Sequence, residues 1–208
     1  MSRISLLPEM DSRALFIGMT GAGKTWAQLK LLEPHYGKRQ IEILDTKGDN
    51  LIAQIDAPVV DKLEDAPLYT FPEYPLVIYR PSGEELADPG VLDDWCQWVY
   101  DRKNTTAWID ELSQLGNSTR PKMGFLNMLT RGRSRGVTVY MGSQRPVGIP
   151  KIAYTESQYI YKFYLADVKD RQRVAEYTHP SMVHQTKDKH GFHYFRVGDR
   201  KVYYVKSL

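Results

Sequence analysis

The chain has little cysteine, no long apolar segment and no strong imbalance of charge. Its single cysteine, Cys96, excludes an internal disulfide and any metal site built from several cysteines. No apolar run approaches the roughly 20 residues of a membrane-spanning helix, and residues 1–9 lack the apolar stretch of a signal peptide. Lys and Arg number 28 against 25 Asp and Glu, so the net charge of +3 excludes a uniformly basic or acidic chain. We therefore expect a soluble, intracellular, reduced protein.

The length and composition are those of a folded globular protein. The 208 residues are 42% hydrophobic, 12% aromatic and 25% charged, which argues against disorder and against a coiled coil. No repeat, low-complexity segment or linker divides the chain. Residues 1–208 are therefore predicted to form one domain, with a main core over about residues 14–178 and a hairpin over about residues 191–205.

Apolar runs typical of buried strands alternate with stretches of helical spacing. The predicted strands are residues 14–17, 41–44, 76–79, 106–109, 137–141 and 159–165. The predicted helices are residues 25–35, 91–102, 122–133 and 167–177. Strands that alternate with helices need crossover connections, which predicts an α/β fold with a mainly parallel central sheet and helices on its faces.

Two segments depart from this alternation. Residues 192–197 and 200–205 are predicted to be the strands of a C-terminal β-hairpin, because Gly198 in the first position suits a two-residue type II′ turn. Proline and acidic residues crowd residues 56–75, which we predict to be a long surface loop.

The near-neutral total charge hides a division along the chain. Residues 42–94 hold 13 acidic and three basic residues, whereas residues 112–155 hold seven basic residues and no acidic one. A face built from the second segment would attract phosphates, although a solvated basic surface is the simpler alternative.

The clearest motif is residues 18–25, GMTGAGKT, which match G-x-x-x-x-G-K-[ST] between a predicted strand and a predicted helix. Glycines let backbone N–H groups turn around a phosphate, and the helix start adds a positive dipole. Lys24 is expected to reach the β- and γ-phosphates, and the Thr25 hydroxyl to bind Mg²⁺. The predicted nucleotide-binding residues are Gly18, Thr20, Gly21, Ala22, Gly23, Lys24 and Thr25.

A second site motif follows the strand predicted at residues 106–109. The strand ends in Asp110 and Glu111. An acid at such a strand end holds the Mg²⁺ shell in P-loop enzymes, and we assign Asp110 to that role. Glu111 is placed to polarise a water for attack on the γ-phosphate, which favours hydrolysis over transfer to another acceptor. The alternative is that both acids only begin the next helix.

A third motif combines arginines with a glutamine. Residues 131–136 read RGRSRG, a strand follows at residues 137–141, and residues 142–146 read GSQRP. This order resembles the third motif of the FtsK–HerA superfamily, which are DNA-pumping P-loop ATPases. Residues 43–48, ILDTKG, are similar to the D-x-K-G stretch after the second strand in that superfamily. The resemblance runs over residues 14–146, about two-thirds of the chain.

The resemblance implies a RecA-like three-layer sandwich that binds ATP and Mg²⁺ as a homo-oligomeric ring, a hexamer. Arg133 corresponds to an arginine finger that reaches the neighbouring subunit's γ-phosphate, and Arg131 and Arg135 are close enough to be alternatives. Gln144 corresponds to a sensor that can hydrogen-bond the γ-phosphate or the attacking water. A solvated helix end is the alternative for the arginines, and an ordinary loop residue for Gln144.

Within the superfamily, a short chain of this motif content is similar to the genome-packaging ATPases of tailless, membrane-containing icosahedral viruses. That likeness implies double-stranded DNA and capsid or packaging-vertex proteins as partners, and a location at the virion packaging vertex or in the host cytoplasm. The candidates for DNA or trans contacts are Arg120, Lys122, Arg131, Arg135, Lys47 and Arg80. The alternatives are a salt bridge at the strand end for Arg80 and a solvated turn for Lys47. The alternatives are a plasmid-transfer or phage-assembly motor, a P-loop nucleotide kinase, and a nucleotide-gated adaptor.

Overall fold

A computed structural model describes residues 5–115 and 121–208. Within those residues the chain forms nine strands and five α-helices. The strands are β1 (Arg13–Ile17), β2 (Gln40–Leu44), β3 (Val59–Val60), β4 (Leu76–Tyr79), β5 (Thr105–Ile109), β6 (Thr138–Ser143), β7 (Tyr159–Lys162), β8 (Phe192–Arg196) and β9 (Lys201–Val205). The helices are α1 (Lys24–Leu32), α2 (Val91–Arg102), α3 (Met123–Thr130), α4 (Lys151–Thr155) and α5 (Val168–Tyr177).

All nine strands belong to one sheet, in the order β3-β4-β2-β5-β6-β1-β7-β8-β9. The first seven strands in this order pair in parallel, and β8 and β9 pair antiparallel as a hairpin added at one edge. The predicted α/β fold, with a mainly parallel sheet and a C-terminal hairpin, is confirmed. Because β5, β6 and β1 are adjacent and parallel, their carboxyl ends meet at one edge of the sheet.

Alternate residues of each central strand face different helical layers. Leu15 and Ile17 pack into the cluster that contains the buried residues of α2, α3 and α5. Ala14 and Phe16 pack on the opposite face, against the buried residues of α1. This period of two on strands that are buried on both sides produces the predicted three layers. None of the helices in residues 5–115 and 121–208 combines the length and apolar character needed to span a membrane.

Three predicted elements have different limits in the structure. The predicted loop at residues 56–75 contributes the edge strand β3 and a 3₁₀ helix, Leu63–Leu68. The helix predicted to reach residue 35 ends at Leu32, because Pro34 has no N–H to continue the α-helical hydrogen bonds and a short 3₁₀ turn, Glu33–His35, follows. The helix predicted over residues 122–133 is shorter, since α3 ends at Thr130 and a 3₁₀ helix, Gly132–Arg135, follows.

The C-terminal strands also differ in detail from the prediction. Strand β7 ends at Lys162 rather than at residue 165, because Tyr164 accepts a hydrogen bond from the start of the 18–25 loop instead of extending the ladder. The predicted two-residue turn is wrong: residues 197–200 form a four-residue turn in which Arg200, with φ of 52°, takes the left-handed conformation. Gly198 therefore does not supply the left-handed residue that the type II′ prediction required.

Candidate active site

The predicted phosphate loop, residues 18–25, connects β1 to α1 at the carboxyl edge of the sheet. Gly21 and Gly23 have φ of +77° and +100°, a conformation that side-chain-bearing residues rarely adopt. Gly23 is also the N-cap of α1, so the helix start faces the loop. The glycines at these two positions thus allow the backbone to turn where the motif predicts a phosphate.

The first glycine of the loop is needed for a different reason, which is space. A Cβ on Gly18 would lie 2.5 Å from the Cβ of Phe163. Gly18 N donates to the carbonyl of Ser143 at 3.1 Å, and Met19 N donates to that of Tyr164 at 3.0 Å. The loop is therefore held between the end of β6 and the chain that leaves β7.

Replacing Gly18 with alanine is expected to destabilise the protein by about 1–3 kcal/mol, the usual cost of overpacking a tight site. The added methyl group must displace either the loop or Phe163. Urea unfolding without nucleotide measures this loss. Gly83→Ala is a matched control, because nothing lies within 4 Å of its Cβ position. Equal unfolding midpoints for the two variants would contradict the prediction.

Lys24 lies against the loop that precedes it. Its ammonium donates to the carbonyl of Gly18 at 2.6 Å and to that of Met19 at 3.3 Å. Burial lowers the pKa of Lys24, and the carboxylates of Glu111 and Asp110 oppose this effect. The ammonium thus lies between the loop and the two acids, where the predicted β- and γ-phosphates would meet it.

Thr25 and Asp110 fit the predicted Mg²⁺ shell. Burial, followed by the nearby charge of Asp49, raises the pKa of Asp110 to about 6. The Asp110 carboxylate accepts no hydrogen bond from any residue in the described ranges, and the Thr25 hydroxyl donates to Asp49 at 3.4 Å. Mg²⁺ binds through one or two carboxylates together with substrate phosphates and water, so this donor set suits the cation.

Glu111 is buried, and its hydrogen-bond donors lie at the carboxyl edge of the sheet. Its Oε1 accepts from the hydroxyls of Ser113 at 2.9 Å and Ser143 at 3.1 Å, and its Oε2 pairs with the ammonium of Lys47. Burial alone would raise the pKa of Glu111, but the hydrogen bond and charge of Lys47 outweigh it and lower the pKa. Glu111 is therefore held ionised, the form that a general base requires.

The turn after β2 presents Lys47 to this site. Oδ1 of Asp45 accepts from the backbone N–H of Gly48 at 2.9 Å and of Asp49 at 3.1 Å, which folds the turn back on the strand end. Oδ2 of the same carboxylate accepts from two nitrogens of Arg80, at 2.8 and 3.0 Å. Arg80 is thus paired within the subunit, as the salt-bridge alternative predicts, and its contact with DNA or a neighbour stays a prediction. Lys47 contacts Glu111 at the cavity.

Gln144 follows β6 and lines the same cavity as Lys24 and Glu111. The register pairs Ile17 with Ser143, which brings the residue after β6 beside the start of the phosphate loop. Within the described ranges the Gln144 amide makes no hydrogen bond, so both of its polar atoms are available. This is the position that the sensor interpretation requires.

The three arginines lie at the opposite, amino-terminal edge of the sheet, because they precede β6. Arg135 donates to the carbonyl of Tyr100 at 2.8 Å, and its guanidinium lies over that ring at 4.4 Å. Arg131 and Arg133 are exposed and form no side-chain hydrogen bond within the described ranges. None of the three lines the cavity of its own subunit.

Of the two predicted DNA-contacting residues between β5 and α3, the structure describes only Lys122. Lys122 is exposed, and its ammonium donates to the carbonyl of Pro89. Arg120 lies outside the described residues.

The cavity extends well beyond these predicted residues. Its volume is about 540 Å³. It includes Trp26 of α1 and three residues of the C-terminal part of the chain that the sequence did not indicate, His190, Phe192 and Leu208. Only the arrangement of the sheet brings them to the phosphate loop, since β8 and β9 lie at the edge beyond β7.

Solved structures of other proteins share the fold of this chain. No protein-family model matches the chain. The genome packaging NTPase B204 of Sulfolobus turreted icosahedral virus 2, in complex with AMPPCP, shares the fold with a TM-score of 0.74 at 16% identity, over 97% of this chain and 100% of that one. VirB4 of Thermoanaerobacter pseudethanolicus also shares it, with a TM-score of 0.67 at 9% identity, over 94% and 89% of the two chains.

A relative that is similar in sequence identifies the family. The DNA packaging ATPase P9 of Enterobacteria phage PRD1 is 31% identical over 171 residues, which cover 81% of this chain and 70% of that protein. The resemblance predicted from the motifs at residues 18–25, 110–111 and 131–146 is thereby confirmed. This chain belongs to the family of viral DNA packaging ATPases.

Proposed function

We propose that this chain hydrolyses ATP to move double-stranded DNA into a preformed viral capsid. The observation that carries the proposal is the convergence of Lys24, Asp110, Glu111 and Gln144 on one cavity in a chain of the packaging ATPase family. Capsid or packaging-vertex proteins are the partners that this activity requires. The virion packaging vertex, or the host cytoplasm before assembly, is the corresponding location.

The proposed hydrolysis assigns one task to each group in the cavity. The phosphate loop and Lys24 hold the β- and γ-phosphates, while Thr25 and Asp110 would hold Mg²⁺, which supplies charge neutralisation when bound. Glu111 accepts a proton from water as the water oxygen attacks the γ-phosphorus. The bond from that phosphorus to the β–γ bridging oxygen breaks, and ADP and phosphate leave. Gln144 hydrogen-bonds the γ-phosphate or the water and loses this contact afterwards.

Replacing Lys47 with methionine is expected to raise the pKa of Glu111, because burial then acts on a carboxylate without its cation. The base would become protonated at a higher pH, so the acid limb of the hydrolysis rate profile moves upward. A pH–rate profile measures this shift. Lys62→Met is the control, since Lys62 meets Glu64 only at 4.0 Å on the surface. An acid limb that stays in place would exclude this role for Lys47.

The position of the arginines supports a shared site in a ring, which we take to be a hexamer. Arg131 and Arg133 are exposed at the sheet edge opposite to their own cavity, so they can reach a nucleotide only across a subunit interface. Arg133 is the proposed finger, and its forked guanidinium suits the charge that develops on phosphoryl oxygens. Arg135 is a weaker candidate because Tyr100 already holds it.

We assign DNA binding to basic residues that would face the central channel of the ring. The segment 112–155 contains seven basic residues and no acidic one, and Arg120 and Lys122 follow the acid-bearing strand within it. Contacts with phosphates are independent of DNA sequence and weaken steeply as salt increases. The proposed DNA binding is therefore sensitive to salt.

The sequence relationship favours packaging over the alternatives. A fold shared with VirB4 at 9% identity does not indicate a function, whereas 31% identity to a DNA packaging ATPase favours packaging. A nucleotide kinase transfers phosphate to an acceptor and needs no general base for water, and a gated adaptor needs no turnover. Neither alternative is favoured by a specific feature of the site.

Steady-state ATP hydrolysis tests the proposal. The purified protein is assayed with and without long double-stranded DNA, at low and at moderate salt, with Lys24→Ala as the inactive control. We expect turnover that rises with DNA, loses this stimulation as salt increases, and is absent in the control. Turnover that is unchanged by DNA at every salt concentration, including in the presence of capsids, would overturn the DNA-motor assignment.

A further inference from the structure

The cavity has two chemically different ends. In the sheet order, β5 and β6 lie on one side of β1, whereas β7, β8 and β9 lie on the other. Asp110, Glu111 and Gln144 follow the first pair and define the end for the γ-phosphate. A polyphosphate held by the loop must therefore continue, at its other end, towards α1 or towards the strands beyond β1.

Aromatic and apolar side chains line the part of the cavity beyond the loop. Trp26, in the first turn of α1, remains 41% exposed. Phe192 begins β8, and Leu208 follows the end of β9. Flat apolar surface next to a phosphate loop suits the heterocycle and sugar of a nucleotide rather than a second anion.

His190 lies at the rim of the phosphate loop. A Cβ on Gly23 would be 3.3 Å from the Nδ1 atom of His190, so the imidazole is in contact range of the loop backbone. The ring is exposed and lines the cavity. An imidazole in this position can stack on a base or hydrogen-bond a ribose hydroxyl.

Tyr204 of β9 fixes the turn at residues 187–190 that carries His190. Its hydroxyl accepts from the backbone N–H groups of Lys187 at 2.9 Å and Asp188 at 2.8 Å, and donates to the Asp188 carboxylate at 2.8 Å. A Cβ on Gly191 would lie 2.4 Å from the same hydroxyl, which shows how closely the turn and the strand approach. The hydroxyl thus uses its donor and both acceptor positions on this one turn.

We infer that the C-terminal segment, residues 187–208 with β8 and β9, builds the nucleoside-binding end of the cavity together with Trp26 of α1. Trp26 and His190 contact the base and ribose, and Tyr204 is a positioning residue that holds His190 against the loop. The inference rests on the proposed function, because it assumes that the phosphate loop binds a nucleoside triphosphate. It gives the C-terminal segment a role in substrate selection that the phosphate-loop motif does not supply.

Binding measurements with two ligands test this inference. The affinities of ATP and of inorganic tripolyphosphate, each with Mg²⁺, are measured by calorimetry for the full chain and for His190→Ala, Trp26→Ala and Tyr204→Phe. Loss of one base-stacking side chain weakens binding by about 5- to 150-fold, so we expect this loss for ATP in the two alanine variants. Loss of one positioning hydrogen bond is expected to weaken ATP binding by about 2- to 13-fold in Tyr204→Phe. Tripolyphosphate affinity should remain unchanged in all three.

Tyr203→Phe is the matched control, because the Tyr203 hydroxyl makes no hydrogen bond within the described residues. It should bind both ligands as the unmodified chain does. Unchanged ATP affinity in both alanine variants would overturn the inference, as would equal losses for ATP and tripolyphosphate, which would place the effect on the phosphate loop. Failure of the unmodified chain to bind either ligand would instead overturn the proposed function, and the inference with it.

Discussion

Replacing Glu111 with glutamine is expected to lower ATP turnover by about 10²–10⁴-fold while ATP binding is retained, since general-base catalysis contributes an effect of this size. The amide has nearly the same shape as the carboxylate but cannot accept the proton of the attacking water. The Glu111 side chain is buried, and its contacts with Ser113, Ser143 and Lys47 fix its position at the cavity. Turnover and equilibrium ATP binding, measured on the same preparation, separate the two effects.

The control for this variant is Glu84→Gln, which changes an exposed carboxylate away from the cavity. It should leave both turnover and binding unchanged. Asp110→Asn gives a second comparison, because it should weaken the Mg²⁺ dependence of binding rather than only the chemical step. A Glu111→Gln protein with turnover within a few-fold of the unmodified chain would exclude Glu111 as the base.

Replacing Arg133 with alanine is expected to lower turnover by about 10³–10⁵-fold, the effect of removing an arginine finger. The side chain lies at the sheet edge opposite to its own cavity, so nucleotide binding within the same subunit should be unaffected. The fold should also be unaffected, because the guanidinium is exposed. Turnover, ATP affinity and unfolding midpoint together distinguish a lost trans contact from a damaged subunit.

Mixing two inactive variants tests the trans contact directly. A Lys24→Ala subunit lacks its own phosphate-binding lysine but still offers Arg133, whereas an Arg133→Ala subunit offers an intact cavity. Mixed rings contain interfaces at which both groups are present, so part of the activity should return. The same mixing test on Arg131→Ala and Arg135→Ala identifies the finger. Only the variant that lacks the true finger should be inactive alone and regain activity when it is mixed with Lys24→Ala. Mixtures that stay at the activity of their separate components would contradict a shared site.

Much of the fold follows from local sequence pattern. The strands at residues 41–44, 76–79 and 106–109 are short apolar runs, and each is found within one residue of the predicted limits. The helix predicted over residues 91–102 has those limits in the structure, because its apolar residues recur at helical spacing. The errors occur where a distant partner decides the backbone: β3 exists because it pairs with β4, and β7 ends early because Tyr164 bonds the phosphate loop.

The sequence alone predicts those parts of the site that are built from residues adjacent in the chain. The phosphate loop is one continuous segment, and Asp110 and Glu111 are neighbours at a strand end, so strand–turn–helix geometry places their groups without knowledge of the rest of the fold. Gln144 could be predicted because the motif order resembles a known superfamily.

The tertiary structure alone decided which distant residues complete that site. Lys47 meets Glu111 across 64 positions of sequence, and Arg80 pairs with Asp45 of the neighbouring strand end. The arginines before β6 lie away from their own cavity, while His190 is brought against Gly23. The physical reason is that such contacts depend on the order and register of the strands, which set distances between residues that no local pattern relates.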